Sequence, residues 1–294
     1  MALDTSIVVN HVEKKYKGKP VLQDISFSLQ EGVLGILGEN GAGKSTLLKI
    51  LSTALKQDKG EVTICGSEPN GHAKDMQSGI GYLPQDFDFF RTQKLYEGME
   101  YIAMLKGMEK PYQDHINKLL KIVNLYEHRD KRIGELSGGM RQRFGIAQSL
   151  LNRPSVIIMD EPTAGLDPGE RIHFRNVVNA LNWKCSVIIS SHIVGDMELL
   201  CDKILLMRHG QMLYYGSQEQ AISEMQDRVI VLRQDAKAPI KWGKNVVSVK
   251  KTENEVKIRM ILDKRLKATG ELSQNIMIVE PTLEDFYFYK MYVG

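Results

Sequence analysis

Gly38-Glu39-Asn40-Gly41-Ala42-Gly43-Lys44-Ser45-Thr46 is the stretch that decides how this chain reads. A glycine, four residues, then Gly-Lys-Ser is the spacing of a phosphate-cradling loop. The run Val33-Leu34-Gly35-Ile36-Leu37 before it predicts a buried strand, and Thr46-Leu47-Leu48-Lys49-Ile50-Leu51 after it has the apolar spacing of a helix. Glycines let the backbone approach a phosphate without Cβ clashes. Successive N–H groups then form an anion nest at a helix N-terminus. Lys44 supplies a mobile positive charge for β- and γ-phosphates, and Ser45 a hydroxyl for Mg²⁺. A plain glycine-rich turn with a solvated lysine would not require such regular flanks.

Further along, Val156-Ile157-Ile158-Met159-Asp160-Glu161-Pro162 is an apolar run ending in two carboxylates. In a parallel sheet, the C-terminal ends of strands face the ligand crevice. Asp160 is then placed to reach Mg²⁺ through water, and Glu161 to act as a general base or to position water. Ser186 to Ser191 is another buried strand, with His192 at its end. Taken alone, His192 reads as a donor to the γ-phosphate or as a satisfied polar histidine.

Before the loop, Ile7 to Val12 and Val21 to Leu29 alternate as half-buried strands around the turn Lys17-Gly18-Lys19-Pro20. Tyr16, just before that turn, reads as an adenine-stacking ring or an ordinary strand-end tyrosine. Glu61 to Ile64 and Ile80 to Leu83 are short strands, the second ending at Pro84-Gln85, where Gln85 can offer an amide oxygen to Mg²⁺ or water. Lys94 to Tyr126 has helical spacing, with Ile116, Leu119, Leu120 and Val123 on one face. Phe87, Phe89 and Phe90 at its entrance suit a docking surface or a packed core. Leu136-Ser137-Gly138-Gly139-Met140 opens a helix. Thr163 to Pro168 is a turn into a helix over Ile172 to Leu181. Helix Val194 to Cys201, strand Lys203 to Met207 and a hairpin at His209-Gly210 follow. Near Gly216 the pattern changes to a helix over Gln218 to Met225, strands at Val229–Leu232, Val246–Val249 and Val256–Ile261, and a final helix over Leu283 to Met291. That helix, with Phe286, Tyr289 and Val293 in one stripe, is expected to cover a small sheet; the segment carries no catalytic pattern.

Composition bounds the rest. The 294 residues, 43% hydrophobic and 26% charged, suit one large domain or one domain with a small companion. A net charge of +3 gives no argument for nucleic acid. Cys65, Cys185 and Cys201 match no zinc or disulfide spacing, which points to a reducing compartment. No stretch approaches the roughly 20 apolar residues of a membrane span. Met1 to Thr5 lacks the marks of a signal peptide. The expectation is a cytoplasmic chain, held at the cytoplasmic face of the cell membrane by a partner.

In this order the motifs resemble the nucleotide-binding subunit of an ATP-binding-cassette (ABC) transporter, from about Val8 to Gly216. The resemblance implies an α/β fold: an ABC-type P-loop ATPase core with an N-terminal antiparallel β subdomain over residues 1–216. A helical insert is expected at about 86–150, and a small C-terminal α+β accessory domain at 217–294. It implies ATP and Mg²⁺ as cofactors, with ATP held by Tyr16 and by Gly38, Glu39, Asn40, Gly41, Ala42, Gly43, Lys44, Ser45 and Thr46. Mg²⁺ falls to Ser45, Gln85 and, through water, Asp160. Glu161, His192, Lys44 and Gln85 become the catalytic set. Ser137, Gly138, Gly139 and Asp167 are implied to act in trans, on ATP bound to a second cassette, which is expected to be an identical chain. Met140 stands where the family usually has Gln, outside the implied γ-phosphate contacts. Integral membrane permease subunits are the other implied partners. The signature and the ending Glu280-Pro281-Thr282-Leu283-Glu284-Asp285-Phe286 are similar to antibiotic and multidrug exporters. The alternative is a non-transport ABC ATPase of translation or DNA repair. Against it stand the single cassette and the absence of sustained heptads.

Overall fold

The computed structural model describes residues 6–68, 79–181, 184–239, 243–262 and 275–294. The expectation that Met1 to Thr5 is no signal peptide lies outside the described residues. The chain divides into two compact units, Met1–Tyr215 and Gly216–Gly294.

The first unit holds two sheets. β1 (Ile7–Tyr16), β2 (Lys19–Leu29) and β4 (Lys59–Ile64) form an antiparallel sheet in the order β2-β1-β4. β3 (Gly32–Leu37), β5 (Ile80–Leu83), β6 (Val156–Asp160), β7 (Ser186–Ser191), β8 (Lys203–Arg208) and β9 (Gln211–Ser217) form the second, ordered β5-β6-β7-β3-β8-β9. Every residue of β6 and β7 is buried. Continuous Val/Ile runs of this kind are what a parallel sheet covered on both faces selects.

The register of these strands builds the site. β3 pairs in parallel with β7, Leu37 opposite Ser191, and β6 pairs with β7, Asp160 opposite Ser190. Three strands therefore end side by side, and the residues that follow them are Gly38, Glu161 and His192. The helix α1 (Lys44–Leu51) packs Leu47, Leu48, Ile50 and Leu51 into a core shared with Ile7, Val9, Ile158 and Leu205.

The helical insert comprises α2 (Leu95–Leu105), α3 (Gln113–Ile122) and α4 (Gly138–Ser149). The continuous helical spacing over Lys94 to Tyr126 is thus divided. Gly107 takes a positive φ of 68° just past the end of α2, and Pro111 stands just before α3. Both residues break helices. α5 begins at Pro168 and runs to Asn179, earlier than the apolar spacing suggests, because Asp167 caps it and proline suits its first position. α6 (Val194–Glu198) is shorter than expected.

The second unit is a four-stranded antiparallel sheet, ordered β11-β12-β10-β13, from β10 (Val229–Asp235), β11 (Val246–Lys251), β12 (Glu255–Ile261) and β13 (Ile276–Ile278). It also contains α7 (Gln218–Ser223) and α8 (Leu283–Phe288), with one π turn after α8. β13 was not evident in the sequence. Leu283 and Phe286 are buried, and Asp285, fully buried, receives the Arg259 guanidinium at 2.8 and 2.5 Å. Among the described residues no helix is long and apolar enough to cross a membrane.

Candidate functional site

The loop after β3 runs straight into α1. Gly41 and Gly43 take φ values of 84° and 104°, a region that side chains disfavour. At Gly43 a Cβ would also come within 2.8 Å of the Val21 carbonyl oxygen and 2.9 Å of a Leu22 methyl. Glycine at 43 is therefore demanded twice, by its dihedrals and by the β2 backbone beside it. Ala42 N–H donates to the Glu39 carbonyl at 3.1 Å, closing the curl.

Lys44, only 5% exposed, stands inside this curl. Its ammonium donates to the Gly38 carbonyl at 2.7 Å and the Glu39 carbonyl at 3.3 Å, and lies 3.4 Å from a Glu161 carboxylate oxygen. The other Glu161 oxygen pairs with His192 Nδ1 at 2.8 Å, where an ionised carboxylate accepts and the ring nitrogen donates. Glu161 is itself buried and held at a positive φ of 50°. Strain of that kind in a non-glycine residue persists where the surroundings over-determine it. Here the Glu161 N–H donates to Ser190 Oγ at 2.9 Å, and that hydroxyl donates to Asp160 Oδ1 at 2.6 Å. Ser190 thus ties the two acids to the neighbouring strand.

These groups wall a cleft of about 290 Å³, lined by Val21, Glu39, Asn40, Gly41, Gly43, Lys44, Ser45, Thr46, Gln85 and Glu161. It gathers most of the loop with Gln85 and Glu161. Gly38 and Ala42 are not in its lining. Asp160 is only 1% exposed, and His192, outside the lining, contacts the Glu161 carboxylate on the cleft wall. Ser45, Gln85 and Asp160 offer hydroxyl, amide and carboxylate oxygens, the hard donors that Mg²⁺ takes. No group of three or more His, Cys, Asp or Glu suited to a metal occurs among the described residues.

Four expected contacts stand elsewhere on the unit. Ser137 caps α4, its hydroxyl accepting from Met140 N–H at 3.2 Å, while Gly138 is open to solvent. Gly139 faces the Glu170 carboxylate so closely that a Cβ would lie 2.1 Å from it. Asp167 caps α5 by accepting from Glu170 N–H at 2.8 Å. None of these lines the cleft. Tyr16 is likewise outside its lining, 45% exposed and paired with Lys19 at the hairpin.

The sequence pattern of the family described as ABC transporter matches residues 22–164. An uncharacterized ABC transporter ATP-binding protein of Bacillus subtilis, YxlF, is 34% identical over 74% of this chain and 73% of its own. The chain belongs to the ABC transporter ATP-binding family. The Nod factor export ATP-binding protein I of a Rhizobium species is 33% identical over 72% of this chain and 71% of its own. An ATP-binding cassette of an ABC transporter, solved in its ADP conformation, superposes with a TM-score of 0.66 at 25% identity, covering 74% of this chain and 93% of that one. As an ABC ATP-binding subunit the chain binds and hydrolyses ATP, and subunits of this family work with membrane permease components. Ser190 was missed in the sequence: a serine inside an apolar strand gives no signal until the register sets it beside Asp160.

Proposed function

We propose that this subunit drives an exporter by closing two identical copies around ATP and hydrolysing it at Glu161. The observation that carries the proposal is Glu161 itself, buried on the cleft wall with the Lys44 ammonium at 3.4 Å and His192 Nδ1 at 2.8 Å. The loop N–H groups and Lys44 neutralise phosphate charge. Glu161 accepts the proton of the attacking water, and His192 keeps the carboxylate oriented toward it. Mg²⁺ would be held by Ser45, Gln85 and, through water, Asp160. When bound it would supply neutralisation of the phosphate charge.

Ser137, Gly138, Gly139 and Asp167, which do not line the cleft of their own chain, act on ATP in the second copy. Tyr16, exposed beside the hairpin, stacks on adenine. The exporter direction is supported by the relative named for Nod factor export. The docking face for the permease is the aromatic patch of the helical insert. There Phe90 is 60% exposed and stands edge-on to Tyr101, with Met104 and Leu105 open beside them. Bound to a permease, the chain sits peripherally at the cytoplasmic face of the membrane.

The test is the mass of the Glu161→Gln chain by light scattering, with ATP and Mg²⁺ and without nucleotide. A doubling of mass only with ATP is expected. A monomer with ATP bound would overturn the identical-copy arrangement.

A further inference from the structure

A carboxylate outside the cleft ties together the two segments that carry Glu161 and His192. Asp196 lies on α6, four residues beyond His192. Its Oδ2 accepts from the hydroxyl of Thr163, two residues beyond Glu161, at 2.8 Å. Thr163 is only 2% exposed, so this hydroxyl is held away from solvent. The same Asp196 oxygen lies 3.7 Å from an Arg171 guanidinium nitrogen, and Arg171 Nε donates to the Leu166 carbonyl at 3.2 Å. The Leu166 N–H closes back onto the Thr163 carbonyl at 3.2 Å. Asp196 thus holds the turn between Glu161 and Asp167 directly at Thr163 and, through Arg171, at Leu166, and ties that turn to the segment after β7.

We propose that Asp196 is a positioning residue for hydrolysis, setting the distance between Glu161 and His192 through Thr163. The inference rests on the reading of Glu161 as the water-activating group. Glu161 is held at a positive φ, a conformation a free turn would relax. Ser190 anchors the strand end on one side of it, and Thr163 anchors the turn on the other. Without the second anchor the carboxylate can drift, and a misplacement of about 1 Å at a reacting group lowers turnover by up to about a hundredfold. Nucleotide binding is made by the loop and Lys44, which Asp196 does not touch, so affinity should be spared.

The test uses the full-length chain, with phosphate release and ATP binding measured for Thr163→Val, Asp196→Ala, Asp196→Asn and Thr163→Val/Asp196→Ala. Thr163→Val removes one hydroxyl and keeps the shape, so it remains informative if Asp196→Ala folds poorly. The expected result is a fall of about tenfold or more in kcat for Thr163→Val and Asp196→Ala, with KM for ATP within about twofold. The double variant should fall no further than the worse single one, because both break one link. Asp196→Asn, whose amide oxygen can still accept from Thr163, should recover part of the rate. Wild-type kcat in both single variants, additive losses in the double, or a raised KM at unchanged kcat would overturn the proposal. Glu161→Gln is assayed alongside. If it is dead while the single variants run normally, the positioning role alone fails; if it turns over normally, the reading of Glu161 beneath it fails.

Discussion

Alanine placed at Gly41 and at Gly43 should separate two reasons for glycine within one loop. Both positions have left-handed φ values, 84° and 104°. For an L side chain that conformation costs about 1–2 kcal/mol. At Gly41 nothing lies within 4 Å of the added Cβ, so the dihedral cost is the whole cost. At Gly43 the Cβ meets the Val21 carbonyl oxygen at 2.8 Å. A backbone oxygen in a paired strand cannot swing aside as a side-chain tip can. Overpacking of this kind adds about 1–3 kcal/mol. Gly41→Ala should therefore lose about 1–2 kcal/mol and Gly43→Ala about 2–5 kcal/mol. The assay is urea unfolding of the full-length chain followed by circular dichroism, comparing midpoints at common slope. The two variants share the dihedral cost, so their difference reports the contacts with the Val21 carbonyl and the Leu22 methyl on β2. Equal losses at the two positions would refute the argument from the β2 backbone.

Lys44→Ala should abolish measurable ATP binding by calorimetry, because a buried ammonium among the loop carbonyls is the group offered to the phosphates; unchanged affinity would remove Lys44 from the site. In the second unit, Arg259→Met strips both guanidinium contacts from a fully buried Asp285. It should cost about 3–5 kcal/mol in urea unfolding, whereas Asp285→Asn/Arg259→Met, which removes the charge as well, should be milder. Burial, with the Glu31 charge adding to it, pushes the Cys185 thiol up from 9.0 to about 11. Its thiolate fraction at pH 8 should then be about a hundredfold below that of an ordinary cysteine. Alkylation followed by mass spectrometry should be correspondingly slow at pH 8 and speed up as pH rises toward 11; fast labelling at pH 8 in the folded chain would contradict this.

The chemistry-bearing stretches were legible because each sits at the end of a continuous apolar run. A buried parallel strand needs such a run, and its C-terminal end is where a polar group can face a ligand. Gly38 to Thr46, Asp160-Glu161 and His192 stand out on that ground. Their convergence was not legible. It depends on β7 lying between β3 and β6, a pairing order that local pattern does not encode. Ser190, Thr163 and Asp196 were invisible for the same reason: Thr163 and Asp196 are 33 residues apart and meet only through that register. The break between α2 and α3 had visible signals in Gly107 and Pro111, but the strong apolar spacing on either side dominated the reading. β13, three residues long, offers too little alternation to be recognised. Tyr16 is different in kind, since its side chain is exposed and stands outside the cleft lining.

The most direct test of the account is steady-state phosphate release by the full-length chain and by Glu161→Gln at saturating ATP and Mg²⁺, with ATP affinity measured on the same samples. Loss of a general base is worth about 10²–10⁴ in rate. A fall of at least about a hundredfold with affinity retained is expected. Turnover by Glu161→Gln at the wild-type rate would contradict it, and would leave the buried carboxylate between Lys44 and His192 as an architectural feature only.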